Sequence, residues 1–368
     1  LEQQGVYSAY VGKTDVYAPG NQLGFSEMKS FGDREPPGDT NHRRNPTSIR
    51  KGAASRADGF GPKEDAGARD IRCVDEAIRW IHGSAPGLDS PWVMVVNISN
   101  PHFPHTARPE LWDMYSDNED MPQFGSECKS ARHPYAEAMR KHFETDLFTE
   151  EQIRGLRRGY YACITFADLQ LGRLVAALEG SGMSDSTNVV YTSDHGEMLG
   201  KFGMWWKCNL YEDSVRIPLL AAGPDFAKGQ RVATPVDLHD LQASLFAASG
   251  AEHPSGWLGK PLQSMPSNDT DRVVFSEYHG HGAPGSSFMI RKGKWKYIHY
   301  AGAPPQLFNL EDDPDELTNL AEIQSEVVAD LDAELRAICS PEEENERAEH
   351  FIEKQLKTIE ETTNEKRC

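Results

Sequence analysis

Several features that define common protein classes are missing from this 368-residue sequence. It has no run of 18 or more apolar residues, the minimum for a membrane-spanning helix, so it predicts no membrane span. It has no Cys-x-x-Cys pair, and its six cysteines are widely spaced, which argues against zinc ribbons and disulfide frameworks. Apolar residues make up 38% and charged residues 26%, a balance typical of a globular protein with an ordinary core.

A surplus of basic residues is also missing. The chain has 57 Asp and Glu against 38 Lys and Arg, which gives a formal net charge of −19. Nucleic-acid-binding proteins usually present a basic face, so this balance argues against a nucleic-acid partner. It does not exclude a small anionic substrate, because a few lysines and a metal ion can make one pocket locally positive.

The sequence starts at Leu1 and shows no basic-then-apolar leader. The first predicted strand, Tyr7–Val11, follows almost at once, so we expect the chain to begin inside a domain and to be a fragment of a longer product. Localisation and oligomeric state stay open on this evidence.

Helix and strand patterns alternate after residues 18–69, a stretch rich in Gly, Pro and Asn that predicts long surface loops. Apolar residues at three- and four-residue steps predict a helix over 70–83, and the apolar run 92–99 is typical of a buried parallel strand. Thr149 and Gln152 predict a capping box that opens a long helix. The remaining elements are strands 188–192 and 218–222 and helix 240–249. This alternation predicts an α/β fold with a mostly parallel sheet sandwiched by helices.

The pattern changes after about residue 265. Short β-rich runs begin at Val273, Ser287 and Lys294 and predict a small antiparallel sheet. The segment from Pro341 is rich in Glu and is expected to be an acidic helical tail. The predicted domains are an N-terminally incomplete α/β domain at 1–264, an α+β subdomain at 265–340 and the tail at 341–368.

The segment Thr192–Lys207, TSDHGEMLGKFGMWWK, carries the clearest chemical signal. Asp194 and His195 follow the end of a predicted strand, which is the edge where open α/β sheets bind ligands. Both side chains could bind one metal ion, and Gly196 lets the backbone turn away. Lys207 follows two tryptophans that could hold its ammonium against an anion. An isolated Asp-His-Gly is more often a simple turn, but the whole string is far more specific.

This string resembles the second metal-binding motif of the sulfatases, a formylglycine-dependent branch of the alkaline phosphatase superfamily. Further similar segments occur in the family's order: AYVGK ending at Lys13, NPHFP at 100–104, the helical segment 157–172, YEDSVRIPLL at 211–220, and a C-terminal region similar to choline-sulfatase-like members. The resemblance reaches about residue 325. It implies an alkaline phosphatase-like fold and sulfuric ester hydrolase activity.

Carried over position by position, the resemblance implies roles for five residues. Lys13 and Lys207 would neutralise sulfate oxygens, and His102 would bind the ester and assist departure of the alcohol. Asp194 and His195 would bind a divalent cation, usually Ca²⁺ in this family. Fixed cations suit the negative charge that develops on a sulfate monoester. Calcium prefers oxygen ligands, so His195 is assigned by the resemblance and not by chemistry alone.

Three further residues are candidates for substrate binding. Asp15 stands where many relatives have a histidine, two places after the lysine, and is interpreted as a substrate or subfamily marker. His279 and His281 flank a glycine and could line a substrate pocket, although a loop histidine without a partner is as often inert.

Two motifs of the family are missing from these residues. The first is Cys-x-Pro-x-Arg, whose cysteine becomes the formylglycine nucleophile, and the second is a paired Asp-Asp ahead of Lys13 that completes the metal site. The segment Cys128–Arg132 has the Cys-to-Arg spacing but serine in place of proline, and we interpret it as a chance match. The sequence therefore predicts a truncated sulfatase that is inactive alone, with a degenerate enzyme as the other explanation.

Three functions stay open on the sequence. The first is a sulfuric ester hydrolase acting on a small or polymeric sulfated substrate. The second is a phosphonate or phosphate monoester hydrolase of the same superfamily, which the nucleophile's context would distinguish. The third is a non-catalytic module that binds sulfated ligands through Lys13, His102 and Lys207.

Overall fold

The computed structural model describes residues 1–14, 23–30, 43–44, 46–117, 120–280 and 282–365. The strands in this part of the chain are β1 (Tyr7–Gly12), β2 (Glu27–Ser30), β3 (Phe60–Pro62), β4 (Trp92–Asn97), β5 (His105–Ala107), β6 (Val189–Thr192), β7 (Leu219–Ala222), β8 (Val273–Tyr278), β9 (Ser287–Lys292), β10 (Trp295–Tyr300) and β11 (Ala303–Asn309). The helices are α1 (Ala68–Gly83), α2 (Pro109–Asp113), α3 (Pro134–Phe143), α4 (Glu150–Ser181), α5 (Glu212–Val215), α6 (Leu238–Ser249), α7 (Ser325–Ile338) and α8 (Pro341–Glu365).

A parallel sheet with the order β2-β1-β4 carries the first part of the candidate site. Tyr7 pairs with Trp92 and Gly12 with Asn97, so β1 and β4 end side by side. This sheet confirms the predicted α/β class. The prediction that 18–69 forms only loops is wrong, because β2 and β3 lie within it. β2 is four residues long and half of them are charged, so it shows no strand pattern in the sequence.

Helices α1 and α4 pack against β1. Trp80 and Ile81 of α1 and Leu178 of α4 form a core cluster with Ala9 of β1. The predicted capping box of α4 is confirmed, since Thr149 and Gln152 bond each other's backbone N–H groups. The left-handed Gly182 then ends the helix.

Helix α4 is also long and apolar enough to cross a membrane, judged by length and composition alone. It packs against α1 and β5. Its side chains of Leu156, Ala162 and Cys163 are buried in the protein core. A core helix of a globular domain passes the same length and composition test, so a single such helix is weak evidence for a membrane span.

The strand pair β6-β7 departs from the predicted parallel arrangement. Val189 pairs with Ala222 and Thr192 with Leu219, so β7 runs antiparallel to β6. The pair carries Asp194 and His195 immediately beyond the end of β6.

The predicted small sheet near the C-terminus is confirmed as an antiparallel sheet with the order β11-β10-β9-β8. Leu331 and Leu335 of α7 pack on one face of it. β11 was not predicted, because it contains Pro304 and Pro305, and proline cannot donate to a strand ladder. An edge position tolerates proline, and β11 is an edge strand.

The other face of this sheet supports the loop that ends at Lys207. Trp206 and Tyr211 belong to the same core cluster as Tyr300 and Phe308 of the sheet. A buried ion pair lies beside them, with Nζ of Lys296 2.7 Å from a carboxylate oxygen of Glu316. The C-terminal sheet therefore helps to position the candidate site.

Candidate active site

A cavity of about 2210 Å³ opens where β1, β4 and β6 end. The five residues singled out by the resemblance all line it: Lys13 beyond β1, His102 beyond β4, and Asp194, His195 and Lys207 beyond β6. They come from three separate segments of the chain, yet share one cavity. This arrangement follows the rule that ligands bind at the carboxyl ends of strands in open α/β sheets.

Lys207 and His102 are in direct contact. Nζ of Lys207 lies 2.5 Å from Nε2 of His102, and Nδ1 of His102 lies 2.8 Å from the carbonyl oxygen of Phe103. Burial, reinforced by the charge of Lys207, lowers the pKa of His102 to about 3. The imidazole is therefore neutral at pH 7: Nδ1–H donates to Phe103, and Nε2 accepts a hydrogen bond from the ammonium.

Lys13 is held by its backbone at the end of β1. Its carbonyl oxygen accepts hydrogen bonds from the Tyr10 hydroxyl and from Nδ2 of Asn97, the latter at 2.5 Å. Gly12 precedes it with φ 127°, and a Cβ there would lie 2.0 Å from the Asn97 carbonyl oxygen. The Gly-Lys pair of the sequence motif thus has a steric cause, because only glycine allows β1 to approach β4 this closely.

Asp194 and His195 present a carboxylate and an imidazole side by side. Nε2 of His195 lies 3.6 Å from Oδ2 of Asp194, while Nδ1 lies 2.8 Å from the Gly196 carbonyl oxygen. The bond to the carbonyl fixes Nδ1 as the protonated nitrogen and leaves the lone pair on Nε2. Burial and the charge of Lys207 lower the pKa of His195, which favours this neutral form.

Gly196 permits the sharp turn after this pair. Its N–H donates to the Ser214 carbonyl oxygen at 2.7 Å. A Cβ at this position would lie 2.0 Å from the Asp213 carbonyl oxygen, so any other residue would push the two segments apart.

A calcium site needs more ligands than this pair supplies. Calcium takes about six to eight oxygen ligands. Among the described residues, no group of three or more His, Cys, Asp or Glu is arranged to hold a metal ion. Asp194 and His195 offer two donor atoms on one side of a cavity, so these residues do not by themselves fit a calcium ion.

Two anchors of the site were missed by sequence reasoning. Asp70, at the start of α1, accepts hydrogen bonds from Ser99 N at 3.0 Å and from Asn100 N at 2.8 Å. Glu197 accepts one from the backbone N–H of Trp206 at 2.6 Å. Asp70 thereby holds the turn before His102, and Glu197 holds the loop before Lys207. Asp70 is remote in sequence from its partners, so no local pattern could reveal this role.

Of the three candidate substrate-binding residues, the structure describes only His279. Both ring nitrogens of His279 are engaged, Nδ1 at 2.8 Å from Ser286 Oγ and Nε2 at 3.0 Å from Glu277 Oε2, and the residue does not line the cavity. Its predicted role in substrate binding stays a prediction. Asp15 and His281 lie outside the described residues. Their predicted roles stay predictions.

Cys128, the chance match to the nucleophile motif, does not line the cavity either. Burial and the neighbouring Glu127 carboxylate raise the pKa of its thiol. The residue is therefore neither placed nor activated as a nucleophile for this site.

The inner part of the cavity is apolar. Successive residues of β4 and of β6 line it, together with Ile164, Leu171 and Leu174 of α4. In the described part of the chain, β4 pairs with β1 and β6 with β7, so one edge of each strand faces the cavity. Ligand pockets usually measure about 300–1,000 Å³. The cavity is therefore larger than an ordinary ligand pocket, and the edges of two strands border it.

Comparison with known proteins shows which families this sequence matches. Residues 1–251 match the family described as Sulfatase, and residues 200–340 match that described as N-sulphoglucosamine sulphohydrolase, C-terminal. A choline-sulfatase of Rhizobium meliloti (strain 1021) is 38% identical over 240 residues, which cover 63% of this chain and 46% of that protein. An arylsulfatase K of Xenopus laevis is 34% identical over 301 residues, which cover 74% and 56%. The chain spans about half the length of these curated relatives.

Solved structures share the fold. A phosphonate monoester hydrolase of Agrobacterium radiobacter superposes with a TM-score of 0.69 at 23% identity, covering 91% of this chain and 78% of that one. A protein solved in complex with its substrate D-glucosamine-2-N,6-O-disulfate superposes with a TM-score of 0.67 at 18% identity, covering 97% and 81%. At these identities the likeness concerns the fold alone. The family match covers well over half of the sequence, and the chain belongs to the sulfatase family.

Proposed function

We propose that this chain forms part of a sulfuric ester hydrolase and holds the sulfate group of a sulfate monoester. The observation that carries the proposal is the convergence of Lys13, His102 and Lys207 on one cavity, with Lys207 in contact with His102. Two ammonium groups around one tetrahedral anion offset its charge. They also stabilise the charge that its oxygens gain as the ester bond breaks.

The Lys207–His102 pair is suited to the leaving oxygen. An ammonium has three N–H donors, so Lys207 can hold His102 and donate to the sulfate ester at the same time. Because His102 is neutral, it adds no charge of its own and orients the ammonium through Nε2. The pair then supplies the hydrogen bond that the departing alkoxide needs.

We propose that Asp194 and His195 contribute two ligands to a divalent cation, with Ca²⁺ as the ion that the family resemblance implies. Further ligands would have to come from outside the described residues, which supply too few for a complete site. Such a cation would stabilise negative charge on sulfate oxygens as a Lewis acid.

The proposed substrates are sulfate monoesters of small alcohols, phenols or sugars. The names of the two relatives support the first two classes. The sulfated sugar bound by one solved neighbour supports including the third.

Anion binding by the full 368-residue chain tests the proposal. We expect sodium sulfate to bind in isothermal titration calorimetry and the Lys207→Gln variant to bind it at least about tenfold more weakly, because a charge-assisted hydrogen bond is lost. Lys294→Gln is the matched control. Its ammonium lies over the Trp295 ring at the β9–β10 turn and does not line the cavity. Equal sulfate affinity in the wild type and Lys207→Gln would contradict the proposal.

Hydrolysis is tested separately with p-nitrophenyl sulfate. We expect no release of p-nitrophenol by residues 1–368 alone, which contain no Cys-x-Pro-x-Arg. Robust turnover by this chain would require another nucleophile and would contradict the proposed chemistry.

A further inference from the structure

Lys207 lies between two residues that have a left-handed backbone conformation. Trp206 has φ 70° and Cys208 has φ 76°. Among the described residues, six that are not glycine have a positive φ, and four of these six lie in the segment 199–208. A bulky residue is uncommon in this conformation, because its β-carbon is crowded by the backbone. Such a conformation persists only where the surrounding structure holds it, and it occurs most often at functional sites.

The two flanking side chains anchor this loop in the core. Trp206 is 1% exposed and Cys208 is 5% exposed, and both belong to one core cluster. The Trp206 ring packs on that of Phe103, with 4.4 Å between the centroids. Lys207, between them, lines the cavity. A shift of the loop would therefore have to take a tryptophan out of the core, so Lys207 has little freedom to move away from His102.

One carboxylate oxygen joins the two ends of the loop. Oε1 of Glu197 accepts a hydrogen bond from the N–H of Leu199 at 3.1 Å and another from the N–H of Trp206 at 2.6 Å. Leu199 is itself one of the left-handed residues, with φ 49°. The N–H of Met198 donates to the Trp206 carbonyl oxygen at 2.7 Å. Two left-handed residues thus share a single acceptor, which holds both of them in that conformation.

Tyr135 holds the backbone on the other side of Lys207. Its hydroxyl, on helix α3, donates to the carbonyl oxygen of Cys208 at 2.9 Å, across 73 positions of the sequence. The Tyr135 side chain is 1% exposed, so water does not compete for this hydrogen bond. Burial raises the pKa of the Tyr135 hydroxyl, which keeps it in the form that donates. Tyr135 is part of none of the sequence motifs quoted above.

We propose that Tyr135 and Glu197 are positioning residues for Lys207. Glu197 fixes the left-handed residue before the lysine and Tyr135 fixes the one after it, and together they keep the ammonium at Nε2 of His102. The inference rests on the proposed function in one respect, since it takes Lys207 as a sulfate ligand. A loop that is already ordered loses less conformational entropy when the anion binds, so the two residues raise sulfate affinity without contacting the anion.

The ¹⁵N resonance of His102 Nε2 reports the position of Lys207 without any ligand. A neutral ring nitrogen that accepts a hydrogen bond resonates upfield of one that does not, and the Lys207→Met variant supplies the reference without the bond. In the full 368-residue chain at neutral pH, we expect Tyr135→Phe and Glu197→Met to move this resonance towards that reference. Glu197→Gln should leave it as in the wild type, because the amide oxygen can still accept both N–H groups.

Calorimetry with sodium sulfate measures the effect on binding. We expect Tyr135→Phe and Glu197→Met to weaken sulfate binding at least about threefold, because the loop must then be ordered on binding. Tyr300→Phe is the matched control. Tyr300 is 4% exposed, its ring centroid lies 4.8 Å from that of Tyr135, and its hydroxyl donates to Oε1 of Gln306 at 2.8 Å. This variant loses a buried hydrogen bond of the same cluster, yet its sulfate affinity should stay within about twofold of the wild type.

The two measurements separate this inference from the proposed function. An unmoved His102 resonance in folded Tyr135→Phe, or an equal shift in Tyr300→Phe, overturns the positioning roles. If Glu197→Met does not fold by circular dichroism, Tyr135→Phe decides, since it removes a single hydroxyl. Sulfate affinity that is equal in the wild type and Tyr135→Phe also overturns the inference. Resonances that behave as expected in a wild type that binds no sulfate support the positioning roles and overturn only the proposed function.

Discussion

Nζ of Lys207 lies 2.5 Å from Nε2 of His102, although 105 positions separate the two residues along the chain. The contact joins the turn after β4 to the loop after β6. Each of these segments is held by a carboxylate that accepts backbone hydrogen bonds, Asp70 in one and Glu197 in the other. Substitution of either carboxylate should therefore displace His102 or Lys207, although neither carboxylate is one of the proposed sulfate-binding residues.

Asp70→Ala should destabilise the protein and weaken sulfate binding. The change removes the acceptor for the N–H groups of Ser99 and Asn100, and hydrogen bonds to a charged group are worth about 1.5–3 kcal/mol each. We expect a loss of about 3 kcal/mol in the free energy of unfolding, measured by urea denaturation. Asp75→Ala on the same helix is the control, since its half-exposed ion pair with Arg173 contributes at most about 1 kcal/mol. Equal losses in both variants would show that Asp70 is no special anchor.

Gly196→Ala should also be destabilising, because the added Cβ would lie 2.0 Å from the Asp213 carbonyl oxygen. Overpacking of this kind costs about 1–3 kcal/mol and would displace Asp194 and His195. Gly172→Ala provides the contrast. It lies within α4, where an added Cβ meets nothing within 4 Å, so it should stabilise by about 0.5–1 kcal/mol. Thermal denaturation of the two variants should shift in opposite directions, and shifts of the same sign would contradict the steric argument.

Protonation of His105 should cause part of the protein's loss of stability in acid. This side chain is fully buried beside Tyr160 and Trp206, and burial lowers its pKa to about 4. The unfolded imidazole titrates near 6.5, so the unfolded state gains a proton below that pH while the folded state resists one until about pH 4. Neutral His105 therefore adds its full contribution to the free energy of unfolding, about 3 kcal/mol, above pH 6.5. That contribution is lost as the pH falls towards 4.

His105→Phe should remove this part of the pH dependence, because phenylalanine fills a similar volume without titrating. Urea denaturation at pH 7 and pH 4.5 measures the difference. His350→Phe, the same change at an exposed position of α8, is the control. An unchanged slope in His105→Phe would mean that other groups cause the acid sensitivity.

Backbone amides of β4 and β6 should exchange with solvent faster than those of β9 and β10. In the described part of the chain, β9 and β10 have a paired strand on each side, whereas β4 and β6 each leave one edge on the cavity. Hydrogen exchange followed by mass spectrometry resolves these segments, since protection follows paired and buried backbone. Equally slow exchange in all four strands would mean that the two edges are covered in solution.

Local signals in the sequence predicted the elements that depend on neighbouring residues. The capping box of Thr149 and Gln152 marked the start of α4, and the apolar run from Trp92 marked β4. Elements that depend on remote partners were missed or misjudged. Glu27–Ser30 becomes β2 only because β1 pairs with it, and β11 forms despite two prolines because the adjacent β10 templates it.

The residues of the candidate site also fall into those that the sequence indicated and those that it did not. Asp194, His195 and Lys207 stood out because they are close together in one string, while Lys13 and His102 entered through the family resemblance. Asp70 had no signal, because its importance comes from Ser99 and Asn100, which belong to another segment. A contact between two distant segments leaves no repeating pattern in the sequence, so sequence patterns cannot predict it.

The sequence by itself determined which side chains are able to bind an anion or a cation and which helices and strands carry them. Only the tertiary structure decided that the five site residues share one cavity. The reason is physical: the packing of β1 against β4, and of both against α1 and α4, sets the distances between strand ends. Those distances are a property of the whole fold and of no single segment.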